Sequence, residues 1–364
     1  MKESNPLPGG LKNQRGSIII FFALALIMLL GFGALAVDIG HITVTKNELQ
    51  NISDAASLAA TGQLGAIYKT MSYEDQQNYV ADPAPLIAIA KDVGLKNQAG
   101  KMNITINDAD VIIGTWNPQT KQVEPNPKTG QWLDQPDAVR VIGRRDNSSA
   151  EGPLSNIFAN ILGKPTTNVE ADATAALTGR STAGEGDLPI PVGISKARFE
   201  SPYCDREIHF YPTNDPLSCG GWHTYTGDIY SPNAGVNGLP ALLTDLKDGN
   251  YTSPETKTGT IFTFTGGTLA SVFDEMKALF EAMKDPTTGT WTTGVVVYDS
   301  ADCSNPNPGD TLTVKGFAEI TITAVLETPE KIIEGVIKCN YVAPDSRGGG
   351  GEYGTKGSIP GLVE

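Results

Sequence analysis

Apolar residues are concentrated near one end of this chain. Residues 18–37 (IIIFFALALIMLLGFGALAV) hold no charged side chain, no amide side chain and no proline. A helix rises about 1.5 Å per residue, so a run of this length covers the roughly 30 Å hydrocarbon core of a bilayer. Beyond it the pattern changes. Leu49, Ile52, Ala55, Ala56, Ala59 and Leu64 recur mostly at three- and four-residue steps, with Lys46, Glu48, Gln50 and Asp54 on much of the remainder. That spacing predicts an amphipathic helix whose alanine-rich face permits close packing. Nothing breaks the helical pattern between the two stretches, so 18–37 and 38–67 read as one rod. Its packing face fits either a sheet of the same chain or neighbouring subunits, further copies of this chain included.

After the rod the periodicity becomes mixed. A helix is predicted at 85–98, with proline in its first turn. β-Branched clusters predict strands at 103–106, 111–116 and 138–144. Residues 117–136 carry four prolines and read as a long hairpin loop. A short helix at 153–162, ended by Gly163, and a strand at 168–177 complete an α+β module over 68–180. The small, polar segment 181–187 (STAGEGD) reads as a linker. Beyond it, strands at 190–195, 207–211, 260–264, 292–298, 311–326 and 331–340 outweigh helices at 240–247 and 268–284. This gives a second, β-rich module over 188–345. The glycine-rich residues 346–364 read as a flexible tail. The expected fold class is α+β, two modules behind a membrane-crossing helix.

Charge gives the rod a direction. Lys2, Lys12 and Arg15 precede the apolar run against the single acid Glu3. Basic residues beside a span stay on the cytoplasmic side, so residues 1–17 are expected inside and the bulk of the chain outside. Ala34-Leu35-Ala36 has the form of a signal-peptidase site. The uninterrupted helix beyond it favours an anchor that is retained. Leaving out those four charged residues, 24 bases face 40 acids from Asp38 onward, a formal charge of −16. Such a surface disfavours nucleic acid and anionic lipid as partners, since both reward positive patches. Lipid is expected to be met through residues 18–37.

All four cysteines, Cys204, Cys219, Cys303 and Cys339, lie beyond the apolar run. An even number outside the cytoplasm implies two disulfides, with three connectivities open. The most local pattern pairs Cys204 with Cys219 and Cys303 with Cys339. A zinc site built from Cys204, His209, Cys219 and His223 is the competing reading, but its spacing matches no familiar finger. No G-x-S-x-G, H-E-x-x-H or P-loop string occurs. Cys219 with His223 is the one conceivable nucleophile–base pair, and a disulfide at Cys219 would remove it. The Gly220-Gly221-Trp222-His223 string reads instead as a structural turn around a buried tryptophan. No catalytic residue, metal ligand or cofactor is therefore expected.

One segment carries a family pattern. Arg15-Gly16-Ser17, the apolar run, Val37-Asp38-Ile39-Gly40, and then Leu49-Gln50-Asn51-Ile52-Ser53-Asp54-Ala55-Ala56-Ser57-Leu58-Ala59-Ala60 closely resemble the start of TadG-like proteins of bacterial Flp (Tad) pilus-assembly systems. A weaker resemblance continues through Ala138-Val139-Arg140-Val141, Pro153-Leu154, Phe158 and Ala171-Asp172-Ala173-Thr174-Ala175. The likeness implies a single-pass protein of the bacterial inner membrane, its bulk in the periplasm or at the cell exterior. It further implies a non-enzymatic accessory or minor pilin-like subunit that contacts other Tad pilus or secretion components. Pilins carry glutamate five residues after the processing glycine. With Gly16 in that place the fifth residue is Phe21, which favours an anchor that stays in the membrane. Many TadG proteins add a von Willebrand A domain with a D-x-S-x-S metal site. The nearest string, Asp299-Ser300-Ala301-Asp302-Cys303, lacks both serines, so no such site is expected. The alternative is a membrane-tethered adhesin that shares only the anchor.

Overall fold

The structure, a computed structural model, describes residues 15–125, 127–129, 132–200, 203–204, 207–210, 219–225, 238–265, 270–304, 306–307, 309–327 and 329–363. Residues 1–14, and with them most of the segment read as cytoplasmic, lie outside the described residues. The rod is a single helix, α1 (Arg15–Tyr68), of 54 residues. No proline interrupts it, and its wholly apolar half and its amphipathic half differ in surroundings too. The apolar half is bare along its length, whereas the second half is packed.

The packing partner is a sheet from the same chain. Helix α2 (Ala84–Lys96) lies beside α1. Strands β1 (Val111–Asn117), β2 (Gln122–Glu124), β3 (Ala138–Arg145) and β4 (Val169–Ala176) follow. They join in the order β4–β3–β1–β2, all antiparallel. Alternation in β3 and β4 puts Val139, Val141, Ala171 and Ala173 on the buried side. Against them α1 presents Leu49, Ile52, Ser53, Ala56, Ser57, Ala60, Thr61 and Leu64, all buried. Ser53 fits between two paired strand residues: its hydroxyl donates to the Ala171 carbonyl and accepts from the Gly143 amide, both at 3.0 Å. Thr61 likewise donates to the Ala175 carbonyl at 3.1 Å. Small side chains let helix and sheet approach, and their hydroxyls bond across the closed gap.

The second module is a barrel. Its strands are β5 (Val192–Ser195), β6 (Glu207–Phe210), β7 (Gly220–His223), β8 (Ile261–Thr265), β9 (Trp291–Tyr298), β10 (Thr311–Leu326) and β11 (Ile332–Lys338). Five of them close in the order β5–β7–β8–β10–β9, with β9 returning to pair in parallel with β5. Closure is possible because β10 is 16 residues long. Its start pairs with β8, its middle with β9 and its end with β11, which carries β6 on its outer edge. Helices α3 (Gly238–Asp248) and α4 (Ala270–Met283) pack on each other, and α4 also packs on β10. The interior is aromatic, with Trp222, Tyr225, Phe262, Phe264, Phe273, Tyr298 and Phe317 all buried.

Several local expectations are corrected. Residues 346–364 are not a loose tail. β12 (Tyr341–Arg347) and β13 (Thr355–Ile359) pair in parallel, and β14 (Gly361–Val363) adds to the free edge of β4 as the fifth strand of the first sheet. Residues 117–136 include β2 and a further hairpin of Pro127–Thr129 with Trp132–Asp134. Strands this short leave too little periodicity to be seen. The predicted linker is pinned: Thr182–Ala183 pairs with Thr256–Lys257, and the buried Arg180 guanidinium bonds the Asp187 carboxylate. Residues 104–106 are irregular although Ile104 and Ile106 are buried, because only Met102–Asn103 pairs as strand. The predicted helix at 153–162 is instead a hairpin, Leu154–Ser155 with Thr166–Thr167, carrying a 3₁₀ turn, Ala159–Leu162, near its tip. Gly220-Gly221-Trp222-His223 is strand β7 rather than a turn, though Trp222 is buried as expected.

Candidate functional site

Three places gather the polar chemistry of the chain, and each depends on residues far apart in sequence. The first lies where α1 leaves its apolar run. Asp38 is buried, and its carboxylate accepts from the amides of Ile157, Phe158 and Ala159 at the tip of the 154–167 hairpin, at 2.5–3.2 Å. Removal from water raises the pKa of a carboxyl. Here the three amides, with His41 nearby, outweigh that effect, and Asp38 titrates below the ordinary aspartate value. The tip is closed by Gly163, whose φ of 77° fits the left-handed conformation that glycine adopts without strain.

The second place is a clasp between the modules, made by the residues after Cys339. Gln76, buried in a short helix, donates to the carbonyls of Tyr68 and Val342 at 3.1 Å and accepts from the Val342 amide at 2.8 Å. Lys356 on β13 reaches the buried Asp137 carboxylate at 2.5 Å. That carboxylate also accepts from the Trp116 amide at 2.6 Å. Burial works against the Lys356 charge, but Asp137 and then Glu352 outweigh it and hold the ammonium above its ordinary pKa. Thr355 on the same strand accepts from the Glu319 amide in the barrel at 2.9 Å. A Cβ on Gly65 of α1 would collide with the Ser358 carbonyl, so glycine is what lets β13 lie against the helix.

The third place is the cysteine set. The disulfides are Cys204–Cys339 and Cys219–Cys303, spanning 135 and 84 residues, not the local pairs expected. Strand order explains the difference. Cys204 precedes β6 and Cys339 follows β11, its antiparallel neighbour. Cys219 precedes β7, while Cys303 lies beyond β9 in a loop tied to Ser195 of β5 through the Asp302 carbonyl. The zinc set is therefore dispersed, and both of its thiols are oxidised. His223 stands in the barrel core, its ring 4.7 Å from that of Phe262, and burial pushes its pKa down to about 3. The proposed nucleophile–base pair thus consists of an oxidised sulfur and a buried neutral imidazole. His209 lies on β6 opposite Glu334 of β11, close to Glu207. Across a strand pair, that arrangement is accounted for by the β6–β11 register. In the string nearest a von Willebrand site, Asp299 is engaged by Lys196 and Lys315 at 2.6 and 3.1 Å, Asp302 accepts from Ser304, and Cys303 is a disulfide.

The predicted helix-packing face is divided. Leu49, Ile52 and Ala56 are buried against the sheet, Ala59 is half-buried and Ala55 is exposed. The true face turns toward Ser53, Ser57 and Thr61, polar residues that a hydrophobicity count places on the wrong side. Ser53 and Thr61 donate to strand carbonyls and Ser57 to the Asp54 carbonyl of its own helix, which is how these polar side chains are accommodated on the buried face. Asp38 and the clasp residues Gln76, Asp137 and Lys356 also escaped the sequence reading, because their partners lie tens to hundreds of residues away.

Two family models match the chain. The model described as putative Flp pilus-assembly TadE/G-like covers residues 16–63, and the one described as putative Tad-like Flp pilus-assembly covers 45–175. No curated protein and no solved structure matches. The first match contains the apolar half of α1, which is long and apolar enough to cross a membrane. The second contains the packed half with α2 and β1 through β3, ending within β4. Residues 16–175, then, are what carries the likeness to the TadE/G-like and Tad-like Flp pilus-assembly families.

Proposed function

We propose that the protein is a membrane-anchored accessory or minor pilin-like subunit of a Flp/Tad pilus or secretion machine, working through protein contacts rather than catalysis. The supporting observation is α1 itself, one unbroken helix that joins an exposed apolar half to a folded head within the matched family region. The basic residues before the run favour a cytoplasmic N-terminus, with the head in the periplasm or outside the cell. The two disulfides accord with that side. Phe21 in place of the pilin glutamate favours an anchor that stays in the inner membrane. Lipid is met along 18–37, and Tad components are met by the head. Because the inner face of α1 is occupied by its own sheet, contact with other subunits falls to the outer surface of the rod and to the barrel.

The test is a chromosomal deletion with complementation. Loss of surface pili on deletion, restored by the full chain, is expected, along with co-purification of Tad components from solubilised membranes. Unchanged pili and adherence would sink the proposal. Pili unchanged with adherence lost would point to the tethered adhesin.

A further inference from the structure

The hairpin tip held by Asp38 has a surface unlike the rest of the head. Ile161 and Leu162 are 82% and 85% exposed, and Ile157 and Phe158 are 54% and 39% exposed. These four apolar side chains project from ten residues of an otherwise acidic exterior. The tip is nevertheless ordered. Ile161, Gly163 and Lys164 donate to the carbonyls of Phe158, Asn160 and Ala159, and Asn156 bonds Pro165 and Lys164 at the hairpin neck. An ordered apolar turn facing outward needs a partner.

Its position identifies one. Asp38 is the first residue after the apolar run. Helical side chains lean toward the N-terminus, so its carboxylate points back over the last turn of that run. Within 18–37, Ala34 alone is partly covered, and it lies one turn before Asp38. The amides of Ile157, Phe158 and Ala159 are therefore fixed at the level where the helix leaves the hydrocarbon. Leu162 is three residues further along a 3₁₀ turn that rises about 2 Å per residue. Its backbone therefore lies within about 6 Å of that level, a distance comparable to the roughly 5–10 Å that interfacial apolar faces reach into a bilayer. The exposed Lys164 beside it can meet lipid phosphate.

We infer that residues 157–162 form a second membrane contact, an apolar turn that enters the outer-side interface of the bilayer next to α1 and is held there by Asp38. This rests on the membrane anchoring proposed above. Asp38 serves as a positioning residue: it satisfies the amides of the turn and so frees its apolar side chains to face lipid.

The test uses the full chain in vesicles of phosphatidylethanolamine and phosphatidylglycerol, with a benzophenone amino acid placed singly at Leu26, Leu162 or Ile261. Leu26 lies in the apolar run, Leu162 in the turn, and Ile261, 59% exposed, on the barrel. On irradiation, lipid adducts are expected at Leu26 and at Leu162, with the Leu162 yield roughly tenfold or more above Ile261. Asp38→Ala should lower the Leu162 yield and leave Leu26 unchanged. Adducts at Leu26 without any at Leu162, or Leu162 adducts with a second copy of the chain instead of lipid, would overturn the inference. Absence at Leu26 as well would overturn the anchoring on which it rests.

Discussion

The two modules solve the same packing problem with opposite materials. Between α1 and the first sheet, leucine, isoleucine and valine are interleaved with alanine, serine, threonine and glycine, and the small residues allow close approach with hydroxyl–carbonyl bonds in the gap. The barrel fills its volume with phenylalanine, tyrosine and tryptophan and is cross-linked by both disulfides. The first design leaves no room at Gly65, where a Cβ would meet the Ser358 carbonyl, and little at Gly143, where it would press on Ser53. The second depends on large side chains and on covalent closure. A clasp of polar residues, from Gln76 to Lys356, joins the two.

The clasp is the place where this contrast breaks most sharply. Lys356→Ala leaves the buried Asp137 carboxylate without its cation, at a cost of about 3–5 kcal/mol. Denaturant unfolding in detergent should then resolve two transitions where the intact chain shows one. Lys356→Met combined with Asp137→Leu should recover much of the loss.

Next comes the covalent closure. Replacing Cys219 and Cys303 together with serine should cost the barrel about 2–4 kcal/mol. The region around α1 should keep its protection, read by hydrogen exchange at residues 45–68. Equal loss in both modules would show that the disulfide supports more than the barrel.

Gly65→Ala probes the other design, forcing α1 and β13 apart for about 1–3 kcal/mol. Protection should fall at 45–68 and at 355–363 while the barrel is spared.

Smallest near neutral pH, and growing only as the solution is acidified, is a pH dependence. His223 titrates near 3 in the folded barrel and near 6.5 when unfolded. Below 6.5 the unfolded chain gains a proton that the folded chain refuses, so stability from this residue falls as pH drops from about 6.5 toward about 3. The slope approaches about 1 kcal/mol per pH unit. Glu319 acts in the opposite sense: burial lifts it to about 7, so its contribution falls as pH rises from 4.5 to about 7. Unfolding curves of His223→Phe set against the parent isolate the histidine, and parallel curves would refute the assignment.

What could be read from sequence divides along the same line. The apolar run, the rod and most barrel strands follow from local periodicity, and the structure has them within a few residues. Val169–Ala176 and Trp291–Tyr298 are examples. Where the reading went astray, the deciding partner was remote. Cys204 joins Cys339 because β6 pairs with β11, a relation that spacing cannot carry. The 154–167 hairpin resembled a helix because its apolar residues recur at helical intervals. Those residues are exposed, and the backbone amides there are taken by Asp38, more than a hundred positions earlier. Glycine richness beyond residue 346 suggested looseness, but Gly348, Gly350 and Gly357 lie where a Cβ would meet backbone or a nearby side chain.

β14 gives the molecule a constraint on its history as well as its shape. Residues 361–363 close a sheet whose other strands are made before residue 177, with the whole barrel intervening. A chain made from its N-terminal end therefore carries an unpaired β4 edge until residues 361–363 arrive. A polypeptide cut short before Gly361 would keep that edge open to other strands, and exposed edges invite aggregation and proteolysis. Completion of the first module thus waits until the barrel between its strands has been delivered.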